Sequence, residues 1–185
     1  TLTDGNSRYG GDEPIQLWDE GKSSINFQFD IPGVGRINTS DLYFKLSDSS
    51  ENSISFSAVT QNGDGLTITH SIEDYRLATD ISFIGLVGTV SERQYLDWSA
   101  AGLRNEKGLD WERQHTSIFF KEEGRGRSYL SEGRSDEETI EYDLEWMAFK
   151  QDFFSALVST EDMFETGAIL ENVLLEDDTI NTLYF

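Results

Sequence analysis

The chain has 185 residues and a formal net charge of -21 at neutral pH, with 35 Asp and Glu against 14 Lys and Arg. Such a surface repels phosphate backbones, and no cluster of Lys and Arg compensates for it, which argues against nucleic-acid binding. The 37% hydrophobic content exceeds that of disordered acidic chains. Composition and length therefore predict a folded protein with one domain over residues 1–185.

The chain contains no cysteine, which excludes disulfides, thiolate metal sites and redox chemistry through sulfur. No stretch approaches the roughly 18 to 20 consecutive apolar residues of a membrane span, and the first residues lack the apolar region of a signal peptide. We expect the chain as given to be soluble. Because "NTLYF" (181–185) ends in mid-strand, we also expect it to be truncated at one or both ends of a longer protein.

The first half of the chain alternates apolar and polar residues with period two, the pattern of half-buried β-strands. Clusters of Gly, Asn, Asp and Ser separate these segments, and "QNGDG" (61–65) suits a tight hairpin. Two glycine-containing segments, "GVGRIN" (33–38) and "GRGRS" (124–128), are interpreted as loops. The predicted strands are "SINFQFD" (24–30), "DLYFKL" (41–46), "SISFSAV" (53–59), "GLTITHS" (65–71) and "DISFIGLVG" (80–88).

The second half is less uniform. "ERQYLDWSAAGLRNEKG" (92–108) fits a helix through Tyr95, Trp98 and Ala101 as well as it fits a strand. "SDEETIEYDLEW" (135–146), with Ile140, Tyr142, Leu144 and Trp146 on one face, predicts one long strand with a solvated acidic face, or a face for a basic partner surface. "LEDD" (175–178) predicts a solvated turn. These patterns indicate an all-β fold of antiparallel sheets in a sandwich with one short helix.

The apolar segment "EWMAFKQDFFSALVS" (145–159) loses its alternation at residues 150–152, which predicts a bend between two buried strands. Trp146, Phe149, Phe153 and Phe154 are the candidate structural core motif, expected to join the two sheets. Truncating a buried Phe to Ala typically costs about 3–5 kcal/mol, much of a domain's net stability.

Catalytic signatures are weak. His70 lies on the apolar face of a predicted strand and is interpreted as a half-buried, hydrogen-bonded side chain; His115 is expected at an edge or turn. With 35 acids, close carboxylate pairs arise by chance. The segments tested for calcium-loop, dinucleotide, Walker and nucleophile-elbow patterns do not match them. The sequence thus predicts no enzyme activity, no catalytic residues, no metal ligands and no cofactor.

Several segments, taken in order, resemble the large periplasmic domain of the YidC membrane protein insertase family. The most specific is "WMAFKQDFFSALVS" (146–159), where that family places a bend between two strands. The others are "INTSDLYF" (37–44), "YLDW" (95–98), "LRNEKG" (103–108), "TSIFFK" (116–121) and "YLSE" (129–132).

This resemblance implies two large twisted antiparallel sheets in a super-sandwich similar to that of sugar mutarotases. It also implies a location on the periplasmic side of the bacterial inner membrane, in a full-length protein embedded in that membrane. The implied role is accessory to membrane protein insertion and folding, through contact with Sec translocon components or nascent membrane proteins.

A carbohydrate-binding or carbohydrate-active β-sandwich is the alternative function, suggested by the aromatic and acidic content. A spacer domain without a ligand is a third possibility. Fold analogy alone decides none of these.

Overall fold

The computed structural model describes residues 16, 18–86, 88–105, 108–174 and 182–185. Fourteen strands, a short 3₁₀ turn at Thr39–Asp41 and one α-helix, α1 (Leu109–Gln114), lie in these residues. The strands are β1 (Ser24–Ile31), β2 (Gly35–Asn38), β3 (Lys45–Ser49), β4 (Ser53–Val59), β5 (Gly65–Glu73), β6 (Arg76–Ile84), β7 (Gln94–Ala101), β8 (Ser117–Glu122), β9 (Arg127–Tyr129), β10 (Asp136–Thr139), β11 (Leu144–Lys150), β12 (Ser155–Val158), β13 (Ile169–Val173) and β14 (Thr182–Tyr184).

The chain divides into two compact units. Unit 1 comprises the residues up to Ile25 together with Asp97–Phe185, and unit 2 comprises Asn26–Leu96. The expectation of a single domain stays a prediction, because compactness alone does not show which parts fold independently.

Unit 1 contains two antiparallel sheets, with strand orders β10-β13-β14-β7 and β12-β11-β8-β9. Both sheets turn apolar side chains toward a common core, as the two inner faces of a β-sandwich do. The fully buried members of this core are Ala100, Ile118, Phe120, Leu130, Ile140, Leu144, Met147, Phe149, Leu170 and Leu183.

Unit 2 contains the four-stranded sheet β3-β4-β5-β6 and the β1–β2 hairpin. Its buried centre is small and consists of Phe29, Leu66 and Ile68, with partly buried side chains around them. Phe29 and Phe83 meet edge to face, with ring centroids 5.0 Å apart. The hairpin thus covers part of one face of the sheet.

The all-β antiparallel fold with one short helix is confirmed. The hairpin at "QNGDG" is also confirmed: Gly63 has φ 89°, and the Thr60 N–H donates to the Asp64 carbonyl at 2.8 Å. A Cβ on Gly65 would lie 2.0 Å from the Ala58 carbonyl oxygen, so only glycine fits there. The predicted turn at 175–178 lies outside the described residues.

Of the two alternatives left open for 92–108, the strand is present: β7 occupies residues 94–101, and β14 supplies partners for residues 99–101. Other local predictions were wrong. In 41–46 the strand begins only at Lys45, after the 3₁₀ turn. The segments 33–38 and 124–128 are not loops throughout, since each turn continues into a strand, β2 and β9 respectively.

The predicted long strand at 135–146 is instead two strands, β10 and β11, which belong to different sheets of unit 1. Residues 140–143 cross between the sheets. The buried Glu122 carboxylate holds this crossing by accepting the N–H groups of Glu141 at 3.3 Å and Tyr142 at 3.2 Å. The alternation from Ile140 to Trp146 runs through this crossing, so it carries no signal for the change of sheet.

Candidate functional site

The β11–β12 hairpin contains the four aromatic residues of the predicted core motif. The bend is present: Lys150 pairs with Ser155, and the Gln151 N–H donates to the Phe154 carbonyl at 2.7 Å. Phe149 is fully buried, with its ring centroid 4.2 Å from that of Trp98 and 6.3 Å from that of Trp18. The other three residues of the motif are not fully buried.

Phe153 is 67% exposed, so its assignment to the core was wrong. Phe153 and the partly buried Phe154 lie in the connection between strands rather than in β12, where side chains would alternate into the core. Trp146 is only partly buried. A β-bulge between Leu144 and Trp146 shifts the register. Leu144 therefore faces the core while Trp146 lies on the outer face.

The face of the sheet β12-β11-β8-β9 that points away from the core of unit 1 is here called the outer face. It has a central row of apolar residues. Register places Tyr129, Phe119, Ala148 and Leu157 side by side across the four strands. The rings of Phe119 and Tyr129 stack with centroids 5.1 Å apart and an interplanar angle of 19°. Tyr129 and Leu157 are each more than half exposed. The row forms an apolar strip across the sheet that is accessible at its two ends, while Ala148 within it is buried.

Cationic side chains flank this strip. Arg127 and Lys121 lie on one side of the row, and Lys150 lies on the other. The Arg127 guanidinium carbon is 5.6 Å, and the Lys150 Nζ 5.5 Å, from the centroid of the Phe119 ring. These distances fall within the range of cation–π attraction. Aromatic and cationic groups thus form one surface.

Two carboxylates partly neutralise these cations. The Lys121 ammonium pairs with Glu145, and the Lys150 ammonium lies 3.4 Å from Glu132 while donating to the His115 carbonyl at 2.8 Å. Such partly exposed ion pairs are weak and exchange readily with other charged partners. The face therefore remains able to accept acidic groups, in a chain that is otherwise strongly acidic.

Exposed aromatic residues continue the surface beyond Lys150. Trp111 of α1 is 59% exposed, stacks on His115 with centroids 4.2 Å apart, and donates its indole N–H to Asp152 at 3.1 Å. His115 lies in the turn after the helix, as expected. Trp and Tyr rings of this kind are common at recognition surfaces because they provide large contact areas at little entropic cost.

The histidine predictions can be compared with their surroundings. His70 is partly buried on β5, and its Nδ1 lies 2.9 Å from the Thr79 hydroxyl, as the interpretation of a hydrogen-bonded strand residue required.

In the described part of the chain, no three His, Asp or Glu side chains come together as a metal-binding group. None of the helices in the described ranges is long and apolar enough to cross a bilayer.

Sequence reasoning did not find the outer face. Phe119 lies in "TSIFFK" and Tyr129 in "YLSE", which entered the sequence analysis only through the family resemblance, while Ala148 and Leu157 lie in the segment 145–159. Arg127 lies in "GRGRS", which was interpreted as a loop. The available signal was alternation: Phe119 and Lys121 are two residues apart, as are Arg127 and Tyr129. Alternation could not show that β9 pairs with β8, which places Tyr129 beside Phe119 and Arg127 beside Lys121.

Comparison with known proteins gives a consistent result. The chain is 30% identical over 175 residues to a membrane protein insertase YidC of Parabacteroides distasonis, covering 91% of this chain. It is 27% identical over 165 residues to that of Porphyromonas gingivalis W83 and 25% identical over 178 residues to that of Phocaeicola vulgatus. The chain belongs to the YidC family.

The alignments cover 86% and 91% of the chain for the latter two relatives, so the similarity to YidC proteins extends into both units. The chain spans 26–28% of the length of these three YidC relatives. No protein-family model matches the chain, and neither does any solved structure. The family assignment therefore depends on the curated relatives.

Proposed function

We propose that this chain is a non-enzymatic accessory domain of a membrane protein insertase, on the periplasmic side of the bacterial inner membrane. Its role is to contact partner proteins, either components of the Sec translocon or nascent membrane proteins. The observation that carries the proposal is similarity along about nine-tenths of the chain to proteins named membrane protein insertase YidC. The periplasmic location follows from the resemblance described above.

The outer face supports a contact role. Its apolar row contains exposed Tyr129 beside Arg127, and Tyr and Arg are among the residues that most often provide binding energy at protein interfaces. Its cations favour a partner surface with exposed carboxylates. The rest of the acidic chain repels such a surface, so charge also sets the orientation of the encounter.

The test uses the full-length insertase with the double variant Arg127→Glu, Tyr129→Ala. We expect insertion of a model membrane protein, or recovery of Sec components on purification, to fall about tenfold, since central aromatic and Arg residues dominate interface energies. Tyr43→Ala is the matched control because Tyr43 is 97% exposed in unit 2. Unaltered insertion and unaltered Sec recovery in the double variant would contradict the proposal.

The carbohydrate alternative is tested in the same preparation. Exposed Trp111 and Tyr129 are the side chains on which a sugar ring would stack. Saturable binding of a sugar that is lost in Tyr129→Ala would favour carbohydrate binding. A titration without saturable binding would exclude it.

A further inference from the structure

The sheet of unit 2 ends at β6, a nine-residue strand that pairs with β5 on one side and, among the described residues, with no strand on the other. Its pairing with β5 runs from Glu73–Arg76 to Gly65–Ile84 without a register shift. Exposed strand edges of this length are templates for pairing with another chain, and proteins normally protect them.

Other edges in the molecule carry such protection. β3, at the opposite edge of the same sheet, has Lys45, Asp48 and a bulge between Leu46 and Asp48. In unit 1, β10 is acidic along its length, "DEET", and β12 has only four residues. β6 has no bulge and no proline, and its charged residues are Arg76 and Asp80. Among these edges β6 is the one built to accept a strand.

The hydrogen-bonding pattern of β5 determines which N–H and C=O groups of β6 point away from the sheet. The Ile72 N–H donates to the Asn52 carbonyl at 2.8 Å, away from β6, so Ile72 and Leu77 are a non-hydrogen-bonded pair of the β5–β6 ladder. Leu77 therefore points its own N–H and C=O outward. By alternation, the same holds for Thr79, Ile81 and Phe83, which gives a row of outward donors and acceptors along the edge.

Side chains on the two faces of β6 define what an added strand must carry. Leu77, Thr79, Ile81 and Phe83 share the face of Leu66 and Ile68, so an incoming strand requires apolar residues there. That face stays open toward the β5–β6 turn, where Ile72 is 55% and Leu77 57% exposed. The opposite face presents hydroxyls, including the Ser55–Thr69 pair at 2.9 Å, and Asp80 beside them.

Charge selects the occupant. A second copy of this chain pairing antiparallel over the whole of β6 would place Asp80 opposite Asp80, and like charges directly opposite destabilise a sheet. Two chains of net charge -21 also repel each other before contact. A strand with Lys or Arg opposite Asp80 instead forms a stabilising charge pair across the two strands. Its positive charge is also attracted to the acidic chain before contact.

We infer that β6 binds an extended segment of a partner polypeptide by strand addition, and that this segment alternates apolar and polar residues and carries a Lys or Arg opposite Asp80. This inference deepens the proposed function and rests on it, because an insertase handles chains before they fold. It places peptide recognition on the backbone of unit 2, apart from the outer face of unit 1.

The test measures binding of a synthetic nine-residue peptide, Thr-Val-Thr-Val-Lys-Val-Thr-Val-Thr, to this chain by calorimetry. Thr79→Pro removes an outward N–H and leaves the backbone hydrogen bonds to β5 intact, although it also removes the bond between the Thr79 hydroxyl and His70. We expect it to weaken binding by about tenfold or more. Ser49→Pro on the β3 edge is the matched control, with unchanged affinity. Asp80→Lys should reverse the preference, so that a peptide with central Glu binds about fivefold better than the Lys peptide.

A second measurement leaves the protein unchanged, in case Thr79→Pro fails to fold. N-methylation of the two central Val residues, whose N–H groups face β6 in the antiparallel register, should abolish binding. N-methylation of the two flanking Thr residues, which face away, should not. Equal effects at both sets of positions, or no binding of the unmodified peptide, would overturn strand addition.

Three further outcomes are decisive. Dimerisation of the chain in sedimentation that is lost in Thr79→Pro would show that the occupant is a second copy and would overturn the inference. Peptide binding in the expected pattern, together with unaltered insertion in the outer-face variant, would contradict the proposed function while strand addition holds. If the peptide does not bind but insertion falls in the outer-face variant, strand addition is contradicted and the proposed function stands.

Discussion

The two units bury their apolar side chains to very different extents. Unit 1 encloses a core between two sheets, with Phe120, Met147 and Phe149 fully buried on the β8–β11 side. In unit 2 the buried centre consists of three residues, and Leu46, Ile72 and Leu77 remain more than half exposed. Two facing sheets enclose a large core between them, whereas partial cover by a hairpin leaves an end of the unit 2 sheet open.

Charge differs between the units as well. Residues 26–96 contain nine Asp and Glu and four Lys and Arg, so most of the acidic excess of the chain lies in unit 1. The unit with the larger core therefore also carries the stronger self-repulsion. The two units thus offer different kinds of binding surface: unit 1 presents side chains on its outer face, and the open sheet of unit 2 presents backbone edges.

The largest expected effect is in the core of unit 1. Phe149→Ala should lower the free energy of unfolding by about 3–5 kcal/mol, because the ring is fully buried against Trp98 and Trp18. Phe153→Ala, four residues away and 67% exposed, is the matched control and should change it by less than about 0.5 kcal/mol. Urea unfolding measures both, and equal losses would show that the motif acts as one unit.

A second substitution tests the small core of unit 2. Leu66→Ala should cost about 2–5 kcal/mol, since Leu66 is 2% exposed at the centre of that unit. Hydrogen exchange should show faster exchange in β4–β6 while β8 and β11 stay protected. Leu77→Ala, at an exposed position of the same sheet, is the control. Equal acceleration in both units would mean that they unfold together.

The crossing at 140–143 gives a smaller effect. Glu122→Ala leaves the N–H groups of Glu141 and Tyr142 without their carboxylate acceptor and should cost about 1–3 kcal/mol. Glu122→Gln keeps an oxygen acceptor at that position and should cost less. Thermal unfolding of the two variants separates the contribution of the hydrogen bonds from that of the negative charge. An equal loss of stability in both variants would assign the effect to the charge.

The smallest expected effect is a pH dependence with opposite signs at two acids of β10. Hydrogen bonds from Ser131 lower the pKa of Asp136, so its contribution to stability is present above the unfolded-state pKa and is lost as pH falls through the folded one. Burial, with the nearby Glu122, raises the pKa of Glu138. Its contribution is therefore present at low pH and lost as pH rises.

Asp136→Asn should accordingly destabilise the protein at pH 7 and have little effect near pH 3, while Glu138→Gln should stabilise it at pH 7. Urea midpoints at the two pH values measure both effects. Effects of the same sign at pH 7 would show that the local hydrogen bonds and burial do not control these two groups.

The sequence by itself determined most strands, because alternation records which side chains face a core and depends on neighbouring residues alone. β1, β4, β5 and β6, the hairpin at "QNGDG" and the bend after Lys150 all follow from such local patterns. The buried position of Phe149 follows too, since it lies within an apolar strand.

Only the tertiary structure decided the rest. The division of 135–146 into two strands, the bulge that turns Trp146 outward and the pairing of β9 with β8 depend on partners distant in sequence. Phe119, Tyr129 and Arg127 become one surface only through that pairing, and β6 becomes an edge only because of the order of strands in its sheet. Local alternation fixes the face of a side chain, whereas strand order is fixed by which sheets together bury the most apolar surface.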